Sequence, residues 1–262
     1  MTTGTVCEDP HIPLGKWLVA MHLMASSKKG ISAHQLHRML GMSYKSAWFM
    51  AHRIRYAMAE EPMAGLVKLD GIVEVDETYV GGKMRNPHIA ARRENAASKR
   101  PNAGRSTQTK VPVLALVQRG GKVRSQVMPR VTGENIRQVL KEQVSISKAR
   151  VMTDGFGAYV SLKKHGYQHE TVDHAKDEYV RGDVHTNTVE GVFSVLKRGL
   201  IGTYHHVGKH HLHRYLAEFD RRYNTRSALG VDDQARTAGI IRTAEGKRLT
   251  YRPLVRRMNS DT

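Results

Sequence analysis

Carboxylates stand in this chain where an apolar strand seldom tolerates them. The run Val73-Glu74-Val75-Asp76-Glu77-Thr78-Tyr79 carries three acids within four residues, and such acids are hard to bury unless they are paired or act as ligands. A strand's two-residue period places Glu74 and Asp76 on one face and Glu77 on the other. Asp154 ends a second short strand, Arg150-Val151-Met152-Thr153, at a glycine-rich turn. Ligands in open α/β sheets gather at such carboxyl ends. Glu190 opens a helix, and Lys197 follows seven residues later on the same face. Together Asp76, Asp154 and Glu190 would offer the hard oxygen ligands that two-metal phosphodiester chemistry needs, with Lys197 placed to touch a phosphate. Each feature also has a plainer reading: an edge strand with one wet face, an ordinary Asp-Gly turn, a surface Glu and Lys pair.

The elements that would position these residues are legible in outline. Residues 68–226 alternate strand and helix signals. Ile72–Val80, Val111–Gln118 and Lys122–Met128 read as strands, the last two joined through Gly120-Gly121. Glu134–Val144 reads as a helix, Ala158–His165 as a short one and Thr188–Leu200 as a longer one. This order predicts an α/β domain, a mixed sheet flanked by helices. Residues 81–110 lack any apolar period and read as a long loop.

Before this domain, residues 1–62 read as all-α. Pro13 starts one helix, and Ser32 with Gln35 three residues on suggests a capping box for a second that closes at Gly41. A third carries the buried stripe Ala47, Met50, Ala51, Ile54 and Met58. Helix, tight glycine turn, helix is the helix-turn-helix outline. It would leave Lys45, His52, Arg53 and Arg55 to reach DNA, while a small bundle with a solvated basic face fits the same pattern. Residues 227–262 read as a basic tail packed on the second part.

Charge narrows the partners. Lys+Arg number 42 against 24 Asp+Glu, a formal charge of +18, which favours a polyanion, nucleic acid before membrane surface. Residues 81–130 hold twelve Lys+Arg, among them Lys83, Arg92, Arg93, Lys99 and Arg100, and one acid, so 12 − 1 = +11 of the +18 lies there. A stretch this basic is expected to grip phosphates without reading sequence, with binding that weakens as salt rises. Cys7 is the single cysteine, which excludes an internal disulfide framework and a CxxC zinc module. No apolar run reaches bilayer-spanning length, so the expectation is a cytoplasmic protein with no membrane partner.

The motifs taken together resemble the ISXO-like insertion-sequence transposases. The matching stretches are Ser26–Ser32, Val75–Lys83, Thr153–Gly155, His185–Glu190 and the run from Leu196 to Leu216. The resemblance implies a ribonuclease H-like DDE domain behind a helix-turn-helix, with Asp76, Asp154 and Glu190 holding two Mg²⁺ (or Mn²⁺) ions. Asn187 is the alternative third ligand, since some branches place Asn there. It also implies cleavage and strand transfer on double-stranded DNA, at terminal inverted repeats and target, by a homo-oligomer, with Lys197 and His185 near the scissile phosphate. Members commonly begin with a cysteine zinc ribbon, for which Cys7 alone cannot suffice. His206 and His210 stand one helical turn apart, yet without cysteines or a paired acid no zinc is expected. The alternative function is a catalytically inactive DNA-binding protein derived from a transposase.

Overall fold

The computed structural model describes residues 3–8, 12–59, 67–81, 110–173 and 178–249. Lys83, Arg92, Arg93, Lys99 and Arg100 lie outside the described residues.

Alternating apolar residues build the sheet. Strand β1 is Leu69–Val80, β2 Val111–Gln118, β3 Val123–Val127, β4 Val144–Asp154 and β5 Gln168–Val172. Their order across the sheet is β3-β2-β1-β4-β5. The first three pair antiparallel, while β1 with β4 and β4 with β5 run parallel. Leu114 and Leu116 of β2 face one side and Val113, Ala115 and Val117 the other, as the pleat requires. Helix α4, Gly133–Gln143, covers the first side with Ile136, Val139 and Leu140. Two helices cover the second: α5, Asn187–Gly199, with Val189, Phe193 and Leu196, and α6, Leu212–Asn224, with Leu212, Leu216 and Phe219. This is a mixed sheet between helical layers, compatible with a ribonuclease H-like fold.

Three differences from the sequence reading concern the sheet domain. Strand β4 is much longer than Arg150–Thr153, β5 had no counterpart, and the segment read as the helix Ala158–His165 contains two separate 3₁₀ turns.

Ahead of the sheet stand α1, Leu14–Ser26, α2, Ala33–Leu40, and α3, Tyr44–Met58. Ser32 caps α2 by accepting from the Gln35 amide, and Gly41 ends it in the left-handed region at φ 55. The expected stripe Ala47, Met50, Ala51, Ile54 and Met58 is buried against Trp17, Met21 and Met24 of α1. Residues 227–249 do not form a tail on the sheet domain. Helix α7, Asp233–Ala244, returns to the N-terminal helices and places Ile240 and Ala244 in their core, and the Val6 amide donates to the Ala244 carbonyl at 3.3 Å.

With α7 on one side and α6 on another, α3 is buried almost all round. Arg53 is 3% exposed, donates to the Glu8 carbonyl at 2.8 Å and lies over the Trp17 and Phe49 rings. Arg55 is 2% exposed and ion-paired with Glu218 of α6 at 2.6 Å. His52 packs among the rings of Trp48, His211 and Tyr215. Buried in this way, these three side chains cannot serve as DNA contacts: His52 and Arg55 build the joint between the helical unit and the sheet domain, and Arg53 ties α3 to the N-terminal segment and α1. Lys45, at the start of α3, remains exposed.

The link from α1 to α2 is pressed against the sheet domain. Gly30 has φ +93, and a Cβ added there would overlap the Tyr204 hydroxyl, which is held by Glu218 at 2.7 Å. Gly30→Ala is expected to cost about 2–4 kcal/mol, from the left-handed backbone and the overpacking together. Urea denaturation measures it, and a loss under about 1 kcal/mol would show that the link is not seated as described.

Candidate active site

Register sets the first two carboxylates. In the parallel pair β1 and β4, Glu74 stands opposite Met152. Two residues further along each strand come Asp76 and Asp154, level with each other and on the same face. That face is the one α5 crosses, because the Glu74 side chain on it reaches the start of that helix.

Glu74 is the acid whose role was hidden. It is fully buried and accepts from the Thr188 amide at 2.7 Å, the Thr188 hydroxyl at 2.8 Å and the Val189 amide at 2.9 Å. Arg119 from the end of the β2 hairpin closes it with an ion pair at 2.6 Å, and His185 Nδ1 stands 3.3 Å away. The carboxylate thus satisfies the orphan amides of the first turn of α5. It fixes where that helix begins on the sheet, and with it the azimuth of Glu190. His185, expected near a DNA backbone, is engaged in this anchor through Nδ1, which lies 3.0 Å from Arg119 Nη2.

Glu190 and Lys197 fall on one face of α5 as their spacing implies. They line a concavity of about 690 Å³ together with Asp76, Glu77, Ser194, Arg198 and Lys29. Asn187, one turn back, lines a different cavity on the other side of the helix. Of the two candidates for the third acid position, Glu190 is the one that shares a space with Asp76. Asp154 is not part of that wall; it stands at the strand end, with its Oδ1 accepting from the Phe156 amide at 3.1 Å.

The charges nonetheless meet. Burial pushes the Asp76 carboxyl up to about 7, against the Glu77 amide that donates to it at 2.7 Å, and the negative charges of Glu77, Asp154 and Glu190 push it further. Glu77, on the opposite face of β1, is raised as well, chiefly by burial, although the Tyr159 hydroxyl donates to it at 2.6 Å. Carboxylates that raise one another's proton affinity form a site that a cation relieves. Among the described residues no three His, Cys, Asp or Glu side chains are drawn together tightly enough to hold an ion. The donor types and charge fit a hard divalent cation, and holding one requires these side chains to converge.

The histidine run does not gather on one helix. His206 precedes a short 3₁₀ turn, Lys209–His211, that contains His210. Among the described residues no helix is long and apolar enough to cross a membrane.

Lys29 and Arg198 lie in stretches that carry the family resemblance, yet neither was singled out as a site residue. Lys29 belongs to the α1–α2 link, whose seating at Gly30 carries it to the concavity, and no local pattern announces that.

Comparison with known proteins agrees with this architecture. The model of the ISXO2-like transposase domain matches residues 68–224, a span that begins just before β1 and ends with α6. It includes Asp76, Asp154, Glu190 and Lys197. An uncharacterized protein in transposable element ISH50 of Halobacterium salinarum is 32% identical over 224 residues, covering 84% of this chain and 73% of that protein. The chain belongs to the ISXO2-like transposase family.

Proposed function

We propose that this transposase cleaves DNA at insertion-sequence ends and transfers the freed strand to a target, with Asp76, Asp154 and Glu190 as ligands for two Mg²⁺ or Mn²⁺ ions. The observation that supports it is the electrostatic coupling of Asp76 to Asp154 at the end of β4 and to Glu190 of α5, with Asp76, Glu190 and Lys197 sharing one concavity. The family implies DNA substrates, and the chain's charge of +18 suits them.

When bound, divalent cations would supply activation of water or of a 3′-hydroxyl and stabilisation of the leaving oxygen. The chain's own residues do the rest. Asp76, pushed up to about 7, carries a proton in much of the population at neutral pH and gives it up as a ligand. Lys197, Lys29 and Arg198 rim the concavity and would hold the phosphodiester across from the carboxylates. Glu74 holds the helix that presents Glu190 and is a positioning residue, since it touches neither phosphate nor ion. Lys45 remains a candidate backbone contact on the helical unit. Joining two ends calls for a homo-oligomer on DNA.

The test is a Mg²⁺- or Mn²⁺-dependent cleavage and strand-transfer assay on the element's terminal inverted repeats. Asp154→Ala is expected to lower the rate on the order of 10³-fold or more, as for a group acting chiefly in the transition state. Activity surviving that substitution would remove Asp154 from the site. End binding by the wild type without any cleavage would favour an inactive DNA-binding derivative.

A further inference from the structure

We infer that the protein holds a second stretch of DNA backbone in a cavity on the far side of α5 from the carboxylates. This rests on the reading of DNA as substrate and adds a binding site to it.

The cavity measures about 570 Å³ and lies where α1, α5, α6 and α7 meet, a size typical of ligand sites. Four cations from three directions line it: Lys28 from the α1–α2 link, Arg222 and Arg226 from α6 and the residues after it, and Arg236 from α7. No Asp or Glu is among its lining residues. Arg226 is held in place without a carboxylate, by the Gly121 and Tyr223 carbonyls at 2.9 Å each, with its guanidinium over the Tyr223 ring. Arg222 spends Nη1 on Glu218 at 2.6 Å, while its Nε and Nη2 find no acceptor among the described residues, in a side chain only 9% exposed. The first amides of α5 are already taken by Glu74, so the guanidinium and ammonium groups, rather than the helix end, would bind an anion there.

Arg222 and Arg236 are each paired with an acid, Glu218 at 2.6 Å and Asp233 at 2.7 Å, so Lys28 and the guanidinium of Arg226 beside the Tyr223 ring are the groups that suit a phosphodiester. The α1–α2 link ties this cavity to the first one. Lys28 lines the cavity behind α5, and its neighbour Lys29 lines the concavity in front. The link cannot slide, because Gly30 abuts Tyr204 and a Cβ at Gly199 would come within 2.9 Å of the Lys29 carbonyl. Two adjacent lysines thus straddle one helix, each committed to a different phosphate, so the reacting strand and a second segment are held at a fixed offset.

The experiment measures binding of a fluorescein-labelled duplex of arbitrary sequence to the full chain across a salt series. Lys28→Gln, Arg226→Gln and the double variant are compared with wild type, and thermal midpoints report folding. Each lost phosphate contact is expected to lower the slope of log K against log salt by about 0.9, and the double variant by about twice that. A wild-type slope in the folded double variant would overturn the second site while leaving the carboxylate site standing. Should Arg226→Gln lower the midpoint, Lys28→Gln decides alone, because that side chain is exposed. Inorganic phosphate is expected to compete no better than chloride of equal ionic strength, and displacement well below that level would assign a small-anion site instead. Failure of the wild type to bind the duplex would sink this site and the DNA reading together.

Discussion

Glu218→Ala is expected to lower stability by about 3–5 kcal/mol, the cost of leaving buried partners of a removed charge unpaired. Glu218 is fully buried in α6 and serves three donors: Arg55 Nε at 2.6 Å, Arg222 Nη1 at 2.6 Å and the Tyr204 hydroxyl at 2.7 Å. Arg55 is clamped further between Tyr215, at 4.1 Å from its ring centroid, and Tyr204, at 5.2 Å. Burial alone would push the Glu218 carboxyl up, but Arg222, Arg55 and the hydrogen bonds to it hold it below its ordinary 4.5. A depressed acid contributes stability above its unfolded pKa and loses it as pH falls through the folded value, so the joint is expected to weaken below about pH 4.5. Urea denaturation of wild type and variant reads the loss, and the helical unit is expected to detach before the sheet melts. Arg55→Met combined with Glu218→Leu is expected to cost less than the two single changes added. A loss under about 1 kcal/mol for Glu218→Ala would show the joint to be held by its apolar contacts instead.

Asp76→Asn is expected to stabilise the protein above pH 7 and to abolish the proposed strand chemistry. The folded carboxyl titrates at about 7 against an ordinary 3.8. Between those values the unfolded chain releases the proton while the folded one keeps it. The contribution of Asp76 is therefore full below about pH 3.8 and is lost as pH rises through about 7. Asparagine cannot ionise, so its thermal midpoint should vary less with pH over that window. Mg²⁺ without DNA should raise the midpoint of the wild type above pH 7 and leave the variant nearly unmoved. A variant less stable than wild type above pH 7, or an equal response to Mg²⁺, would contradict the account. A site that destabilises its own fold until loaded is the usual trade between activity and stability.

Elements with a strong period were readable and those without were not. β2 was placed to the residue because Val111 to Val117 is an unbroken apolar run of strand length that stops short of a glycine turn. The first half of β4, Val144-Ser145-Ile146-Ser147-Lys148, alternates but follows the preceding helix at Gln143 with no turn residue to mark its start, and the edge strand β5, Gln-His-Glu-Thr-Val, is too polar to announce itself. The stripe on α3 was read correctly, yet the opposite face was taken for surface because arginine usually is surface. What buries Arg55 is Glu218, 163 positions away, and no local pattern carries that. The acids of the candidate site were visible as misplaced charges in apolar runs. Their division of labour was not, since Glu74 and Asp76 share a strand face and differ only in that one meets helix amides and the other meets carboxylates.

The return of α7 to the N-terminal helices has a consequence for how the protein is made. The bundle that contains α1, α2 and α3 lacks Ile240 and Ala244 until the whole sheet domain has left the ribosome, so the first helices to emerge are among the last to be completed. A prematurely ended chain would expose the faces of α1 and α3 that α7 covers and invite degradation. Interrupted copies of the gene would then leave few stable fragments.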